Sequence, residues 1–176
     1  MPKLAANLSW IYQEVPFLER FGAAAAHGFK AVEILFPYEA PASAIAVELK
    51  KHGLTQALFN LPAGDAARGE RGLAALPGRE RDFEAALDKA LDYASALGCR
   101  TLHVMSGMMA PGGDKVAMHR TFVGNLQKAC ARTAGRPGSS SSAASWTGNA
   151  STSCSRHSAW SCPGHRPRSR FWGMGR

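Results

Sequence analysis

Four short apolar runs, each followed by a helix-like stretch that stops at a glycine, set the terms on which this chain can fold. "LAANLSW" (4–10) precedes a helical pattern from Pro16 to His27, which Gly28 ends. "AVEILF" (31–36) leads into a second, from Pro41 to His52, closed by Gly53. "TQALFNL" (55–61) is followed by a long glycine-rich connection, "PAGDAARGERGLAALPG" (62–78), and then by a third helix, Arg79 to Leu97, ahead of Gly98. "RTLHVMSG" (100–107) precedes the fourth, Lys115 to Thr133, ahead of Gly135. Glycine just past a helix takes the left-handed conformation without a Cβ clash, so each of these reads as a stop. In the third helix Phe83, Leu87, Ala90, Leu91, Ala94 and Leu97 recur at steps of three and four and predict one buried stripe. The fourth spaces Val116, Phe122, Val123 and Leu126 as its apolar positions.

Strands alternating with helices at this spacing specify parallel βα units, whose strands are apolar on both faces because other elements cover them. Four such units fit either half of a (β/α)8 barrel or an open flavodoxin-like sheet, and periodicity does not separate the two. The pattern fills residues 1–134 and then stops. Residues 135–176 hold no Leu, Ile or Val, but eleven Ser, six Gly, six Arg and three of the four Trp. A segment without aliphatic side chains buries too little surface to offset its chain entropy, so a disordered tail is expected.

Charge divides at the same point. Of the formal net charge of +8, residues 1–134 contribute 15 basic and 13 acidic side chains, and the rest comes from the six arginines of the tail. The basic balance therefore describes the tail rather than the folded part. The four cysteines, Cys99, Cys130, Cys154 and Cys162, show no disulfide spacing, which fits a reducing, cytoplasmic setting. The N-terminus lacks an apolar core of signal-peptide length, and no stretch approaches a membrane span.

Particular residues carry a resemblance. "AANLSW", "GFKAVEILFPYE" (28–39), "LFNLPAGDAARGERGLAALPGRE" (58–80) and "YASALGCRTLHVMSG" (93–107) resemble the first half of the hydroxypyruvate isomerase family, small TIM-barrel enzymes of the xylose-isomerase-like type. The likeness runs from residue 3 to about residue 132, and the segment from Asn60 to Glu80 is its most specific part. One departure is Ala66, where relatives carry a Trp after the Asp; altered packing under the loop is expected from it. The resemblance implies a partial (β/α)8 barrel, since that fold has eight βα units in about 250 residues. It also implies an aldose–ketose type isomerisation that interconverts hydroxypyruvate and tartronate semialdehyde. In that chemistry a carboxylate removes a proton beside a carbonyl, and a divalent cation, Mg or Mn, stabilises the enediolate.

The family's catalytic glutamates and metal ligands lie in later strands, and after Asp114 this sequence has no Asp or Glu at all. No catalytic or metal-ligand role transfers to this chain, and the resemblance implies a second-half truncation with no activity of its own. "SSSS" (139–142) suggests an origin for the break. If written with TCN codons, it reads one base earlier as NTC codons, which encode only Ile, Val, Leu or Phe, as a fifth strand requires. The tail is thus expected to be an out-of-frame reading, which the nucleotide sequence decides.

Barrel sites lie at the carboxyl ends of the strands, which points to Asn7, Ser9, Asn60, His103 and Ser106. Glu33 sits inside an apolar run, where an ionised carboxylate needs a partner. It either orients a substrate-facing group or pairs with a basic residue. His103 reads as a hydrogen-bonded interior histidine rather than a ligand. On the long loop, Arg68, Glu70 and Arg71 form either a solvated charged surface or part of a lid, with Arg71 meeting a substrate carboxylate. The substrate-binding candidates are therefore Asn7, Glu33, Asn60, Arg71 and His103. The loop is not a phosphate cradle, because no Gly-Lys-Ser/Thr follows its glycines.

Cys154, His157, Cys162 and His165 make two C-x-x-H pairs, but too few residues separate them for a zinc fold. Nucleic-acid binding through the arginines with Trp146, Trp160 and Trp172 is disfavoured, since the tail has no Lys and no repeated Arg–aromatic pattern. A half-barrel leaves its first and fourth strands with open edges, so the chain is expected to aggregate, be degraded, or self-associate, or to act as a non-catalytic partner of another barrel subunit.

Overall fold

The computed structural model describes residues 3–134. The expected tail disorder, the C-x-x-H pairs and the stop at Gly135 lie outside them. Within the described residues the chain makes β1 (Ala5–Asn7), α1 (Arg20–Ala26), β2 (Ala31–Ile34), α2 (Ala42–His52), β3 (Thr55–Asn60), α3 (Glu80–Leu97), β4 (Leu102–His103) and α4 (Lys115–Ala134). The strands form one parallel sheet in the order β1-β2-β3-β4. Each βα unit thus places its strand beside the previous one, the sequential arrangement of a barrel wall rather than a doubly wound sheet, whose strand order reverses at a switch point.

The predicted elements are present but shorter at the strands. The fourth run keeps only Leu102 and His103 as strand, and the first helix begins with a 3-10 turn, Phe17–Glu19. Gly53 and Gly98 cap their helices with φ of 62° and 61°, in the left-handed region where a side chain is strained.

One face of the sheet carries the core. Ala6, Val32, Ile34 and Phe59 point to the helices and are almost fully buried, packed with Phe21, Ile45, Phe83, Leu87 and Ala90. The α3 stripe lands as spaced, with Phe83, Leu87, Ala90, Leu91 and Leu97 buried and Ala94 partly so. Helix α4 starts at Lys115 as read, and of its apolar positions Phe122 packs against the core while Val116 does not. Val116 is 66% exposed, and the best-buried side chain is Asn125 at 1%, which donates to the Ala74 carbonyl at 2.9 Å. The helix is held on its α3 side by Lys128–Glu84 at 2.7 Å and by Arg132 on Asp88. The stripe of Val116, Arg120, Val123 and Gln127 lies about half a turn round from Asn125, on the outer side of the helix.

Consecutive Val32 and Glu33 pair with Gln56 and Leu58, so Ala57 is the extra residue and bulges β3 against β2. Beside it Gln56, 2% exposed, donates to the Leu58 carbonyl at 2.8 Å, while its Oε1 has no partner among the described residues. Cys99 is buried and donates to the Thr101 carbonyl at 3.3 Å, and burial pushes its thiol pKa up. No described helix is long and apolar enough to cross a membrane.

Candidate functional site

Alternation along the strands sends Asn7, Glu33, Asn60 and His103 to the face opposite the helices, near the strands' carboxyl ends. Asn7 is register partner of Glu33, and Asn60 of His103. The row resolves into two hydrogen-bonded pairs. Asn7 Nδ2 donates to Glu33 Oε1 at 3.3 Å, while Asn7 Oδ1 accepts from the Ser9 amide at 3.0 Å. Ser9 Oγ in turn accepts from the Leu35 amide at 2.9 Å, which ties the ends of β1 and β2 together. The partner of Glu33 is thus an amide; the basic residue that one reading supplied is not there among the described residues.

Asn60 is 5% exposed, and its Oδ1 accepts from His103 Nδ1 at 3.1 Å. Because a carbonyl oxygen can only accept, that contact puts a proton on Nδ1 and turns Nε2 away from Asn60. His103 is hydrogen-bonded as expected, but half-buried rather than interior. The Asn60 carbonyl accepts from the Tyr38 hydroxyl at 2.7 Å. Burial, and then the neighbouring Tyr93, raises the Tyr38 pKa well above the ordinary phenol range, so the hydroxyl stays a donor.

The connection after β3 folds over the end of β4 instead of standing free. Gly72 bridges Ser106, the Ala74 amide donates to the Met105 carbonyl at 3.3 Å, and the Ala75 amide to the Ser106 carbonyl at 2.7 Å. At Gly72, with φ of 124°, a Cβ would lie 2.4 Å from the Met105 carbonyl oxygen. Glycine is therefore required for the strap to approach β4 this closely. The root of the loop is an ion pair. Arg79 Nη1 donates to Glu70 Oε1 at 2.6 Å and Nη2 to Glu70 Oε2 at 3.3 Å, while that Oε2 also accepts the Asp65 amide at 2.7 Å. The Arg79 fork, followed by the Asp65 amide, holds the Glu70 carboxyl down to about 2. Arg71 is exposed and, among the described residues, has no hydrogen bond or ion pair. Ala66 opens the 3-10 turn Ala66–Arg68 and is exposed.

Sequence reasoning missed three features here. Asn125 on α4 and Arg79 just before α3 anchor the strap, and neither stands out, because polar residues in or beside a helix read as solvent-facing. The third is an apolar rim: Trp10, Ile11, Phe36, Met108 and Met109 follow the ends of β1, β2 and β4 and are exposed. Their position just past each strand was the available signal. Ser106 is exposed and donates within its own turn, to the Gly107 carbonyl, so it stands apart from the paired row.

The row offers amide donors, one carboxylate and one imidazole acceptor, a set suited to the hydroxyl and carbonyl oxygens of a small polar molecule. A divalent cation fits it poorly. Among the described residues no three His, Cys, Asp or Glu side chains converge, and Glu33 and His103 each spend an atom on an amide.

The family model of the xylose isomerase-like TIM barrel matches residues 21–138. The 2-oxo-tetronate isomerase of Cupriavidus necator is 53% identical over 126 residues, which cover 72% of this chain and 48% of that one. The putative hydroxypyruvate isomerase of Danio rerio is 42% identical over 132 residues, with 72% and 48% covered. A crystal structure from Brucella melitensis titled AP endonuclease, family 2, superposes with a TM-score of 0.74 at 56% identity, covering 76% of this chain and 52% of that one. The chain spans about half the length of the curated relatives it matches.

Proposed function

Because the chain belongs to the xylose isomerase-like TIM barrel family, we propose that it supplies one half of the pocket of an isomerase for small hydroxy-oxo acids and turns over no substrate alone. The observation that carries this reading is the paired polar row, Asn7–Glu33 and Asn60–His103, set at the strand ends where barrel sites lie. Similarity to proteins named 2-oxo-tetronate isomerase and hydroxypyruvate isomerase supports the reaction class. Hydroxypyruvate and tartronate semialdehyde, or the four-carbon 2-oxo-tetronate pair, are the candidate substrates.

Each part of the chain has a role in that reading. The Asn7 and Asn60 amides and His103 Nε2 hold substrate hydroxyl and carbonyl oxygens. Arg71, unspent on any acid, meets the substrate carboxylate, for which its planar fork is suited. Glu70 and Arg79 hold the loop that carries Arg71. A divalent cation supplies charge stabilisation for an enediolate in such isomerisations, but the described residues do not form its cage and no step is assigned through it. The lack of any Asp or Glu after Asp114 favours an inactive chain, since two opposed carboxylates are needed. A nuclease, as the Brucella title names, is less favoured: residues 1–134 carry nearly balanced charge, where phosphate binding calls for a basic surface.

Complementation in trans tests the reading. The full chain is mixed with the separately expressed second half of the Cupriavidus isomerase and assayed on 2-oxo-tetronate and hydroxypyruvate with Mg2+ or Mn2+. Expected are silence from the chain alone, turnover from the mixture, and loss of about tenfold or more in kcat/KM on Arg71→Ala. Turnover by the chain alone on adding either cation overturns the claim of inactivity. A mixture whose rate ignores changes at Asn60, Arg71 and His103 overturns the assignment of the pocket.

A further inference from the structure

Asn60 is the most firmly tethered residue of the polar row. It is 5% exposed, and each of its polar atoms has a partner. Its amide N–H donates to the Leu35 carbonyl at 3.0 Å, and its backbone carbonyl accepts the Tyr38 hydroxyl at 2.7 Å. Tyr38 is set edge-on against Phe59 and Tyr93, so this tether reaches into the packed layer. In the side chain, Nδ2 donates to Met105 Sδ at 3.9 Å and Oδ1 accepts from His103 Nδ1 at 3.1 Å. A thioether sulfur can only accept, so the amino side of the amide belongs to Met105 and the oxygen side to His103.

His103 is aligned by that amide. Its backbone is fixed as well: it is the register partner of Asn60, and its carbonyl accepts the Leu61 amide at 3.0 Å. With a proton on Nδ1 against Asn60, Nε2 is the ring atom left to gain or lose one, and it has no partner among the described residues. The ring is half-buried, on the sheet face that also carries Asn7 and Glu33. Glu33, the other ionisable group of the row, is held there by a single contact of 3.3 Å. An imidazole that exchanges protons at one atom is suited to moving a proton between two neighbouring oxygens.

We propose that His103, positioned by Asn60, carries the hydroxyl proton between the two substrate oxygens during isomerisation. This role rests on the isomerase reading and goes beyond the holding of oxygens assigned to His103 there. In hydroxypyruvate a carboxylate from the other half of the pocket takes a proton from C3. The electron pair of that bond forms the C2–C3 double bond, and the C2 carbonyl pair moves onto its oxygen. Nε2 then takes the C3 hydroxyl proton and gives it to the C2 oxygen. The C3 oxygen closes a carbonyl, while the double-bond pair takes the carboxylate's proton at C2. Tartronate semialdehyde results, the imidazole ends as it began, and no oxidant or further reactant is consumed.

Nitrogen NMR of the full chain labelled at histidine reads the tautomer, at a pH where the rings are neutral and with His103 identified by its loss in His103→Gln. The expected signature is a proton on Nδ1, the reverse of free histidine, which favours Nε2. Asn60→Asp keeps an oxygen acceptor and is expected to retain that signature, whereas Asn60→Ala loses it with helical circular dichroism retained. A proton on Nε2 in the unaltered chain, or an Nδ1 proton that survives Asn60→Ala, overturns the positioning. Kinetics on hydroxypyruvate, in the mixture with the second half of the Cupriavidus isomerase, read the proton transfer. His103→Gln keeps a hydrogen-bonding side chain that cannot carry the proton. It is expected to lower kcat about 100-fold or more with KM changed less than about threefold. A raised KM with kcat intact makes His103 a holding group and overturns the proposal, while the isomerase reading stands. A mixture that is silent before any substitution overturns the isomerase reading, and the proton-carrying role with it.

Discussion

The two faces of the sheet are built by the same strands to opposite specifications. On the helix side Ala6, Val32, Ile34 and Phe59 are sealed into one apolar core, with Gln56 as the polar exception. On the other, Asn7, Glu33, Asn60 and His103 bond to one another and keep spare donors and acceptors. Apolar burial at about 25 cal/mol per Å² explains the first face. The second gains little from burial, and leaving one of its groups unpaired costs about 1–3 kcal/mol. Such a row suits binding rather than core packing, and the proposed pocket uses it.

Substitutions graded across the two faces can break this contrast. The largest effect is expected on the covered side: Phe59→Ala removes a fully buried ring and costs about 3–5 kcal/mol, read as a fall in thermal midpoint. A mild loss there would mean that the helix layer does not carry the core. Next is Gly72→Ala, whose Cβ would run into the Met105 carbonyl. A cost of about 1–3 kcal/mol is expected, with faster exchange confined to residues 72–76 and 104–107. Asn125→Ala leaves the Ala74 carbonyl without its partner and is expected to cost about 1–2 kcal/mol, loosening the same strap from the α4 side.

On the open side Glu33→Gln keeps a hydrogen-bond acceptor for Asn7 and is expected to change stability by no more than about 0.5 kcal/mol. A large loss would make Glu33 part of the packing. The smallest global effect is expected at the Glu70–Arg79 pair that roots the loop after β3. The folded Glu70 pKa, about 2, lies below its ordinary value of 4.5, so the latch contributes fully above that value. Its contribution is lost as pH falls through about 2. Carboxyl titration by NMR checks this, and Arg79→Gln is expected to return Glu70 toward 4.5.

Much of this was legible beforehand because it is local. Helix α3 was predicted from its stripe to within a residue of its start, and Gly53 and Gly98 stopped their helices where a positive φ was required. Asn7, Glu33, Asn60 and His103 could be placed near strand ends by counting. Their pairing could not, because Asn7–Glu33 and Asn60–His103 join residues 26 and 43 positions apart. The β3 bulge at Ala57, which shifts the register against β2, is also set by the neighbouring strand. Val116 misled for a related reason: apolar spacing shows that a helix has a face, not that anything covers it.

The sequence by itself determined the alternation of strands and helices, the stops between them, and the absence of acidic residues after Asp114. These follow from backbone sterics, side-chain periodicity and composition, which act over a few residues or need only counting. Only the tertiary structure decided that the loop after β3 straps onto β4, that Glu70 belongs to Arg79, and that one sheet face is left partly covered. Those outcomes depend on which distant backbone and charged groups come within hydrogen-bond range, and only the packed chain fixes that range.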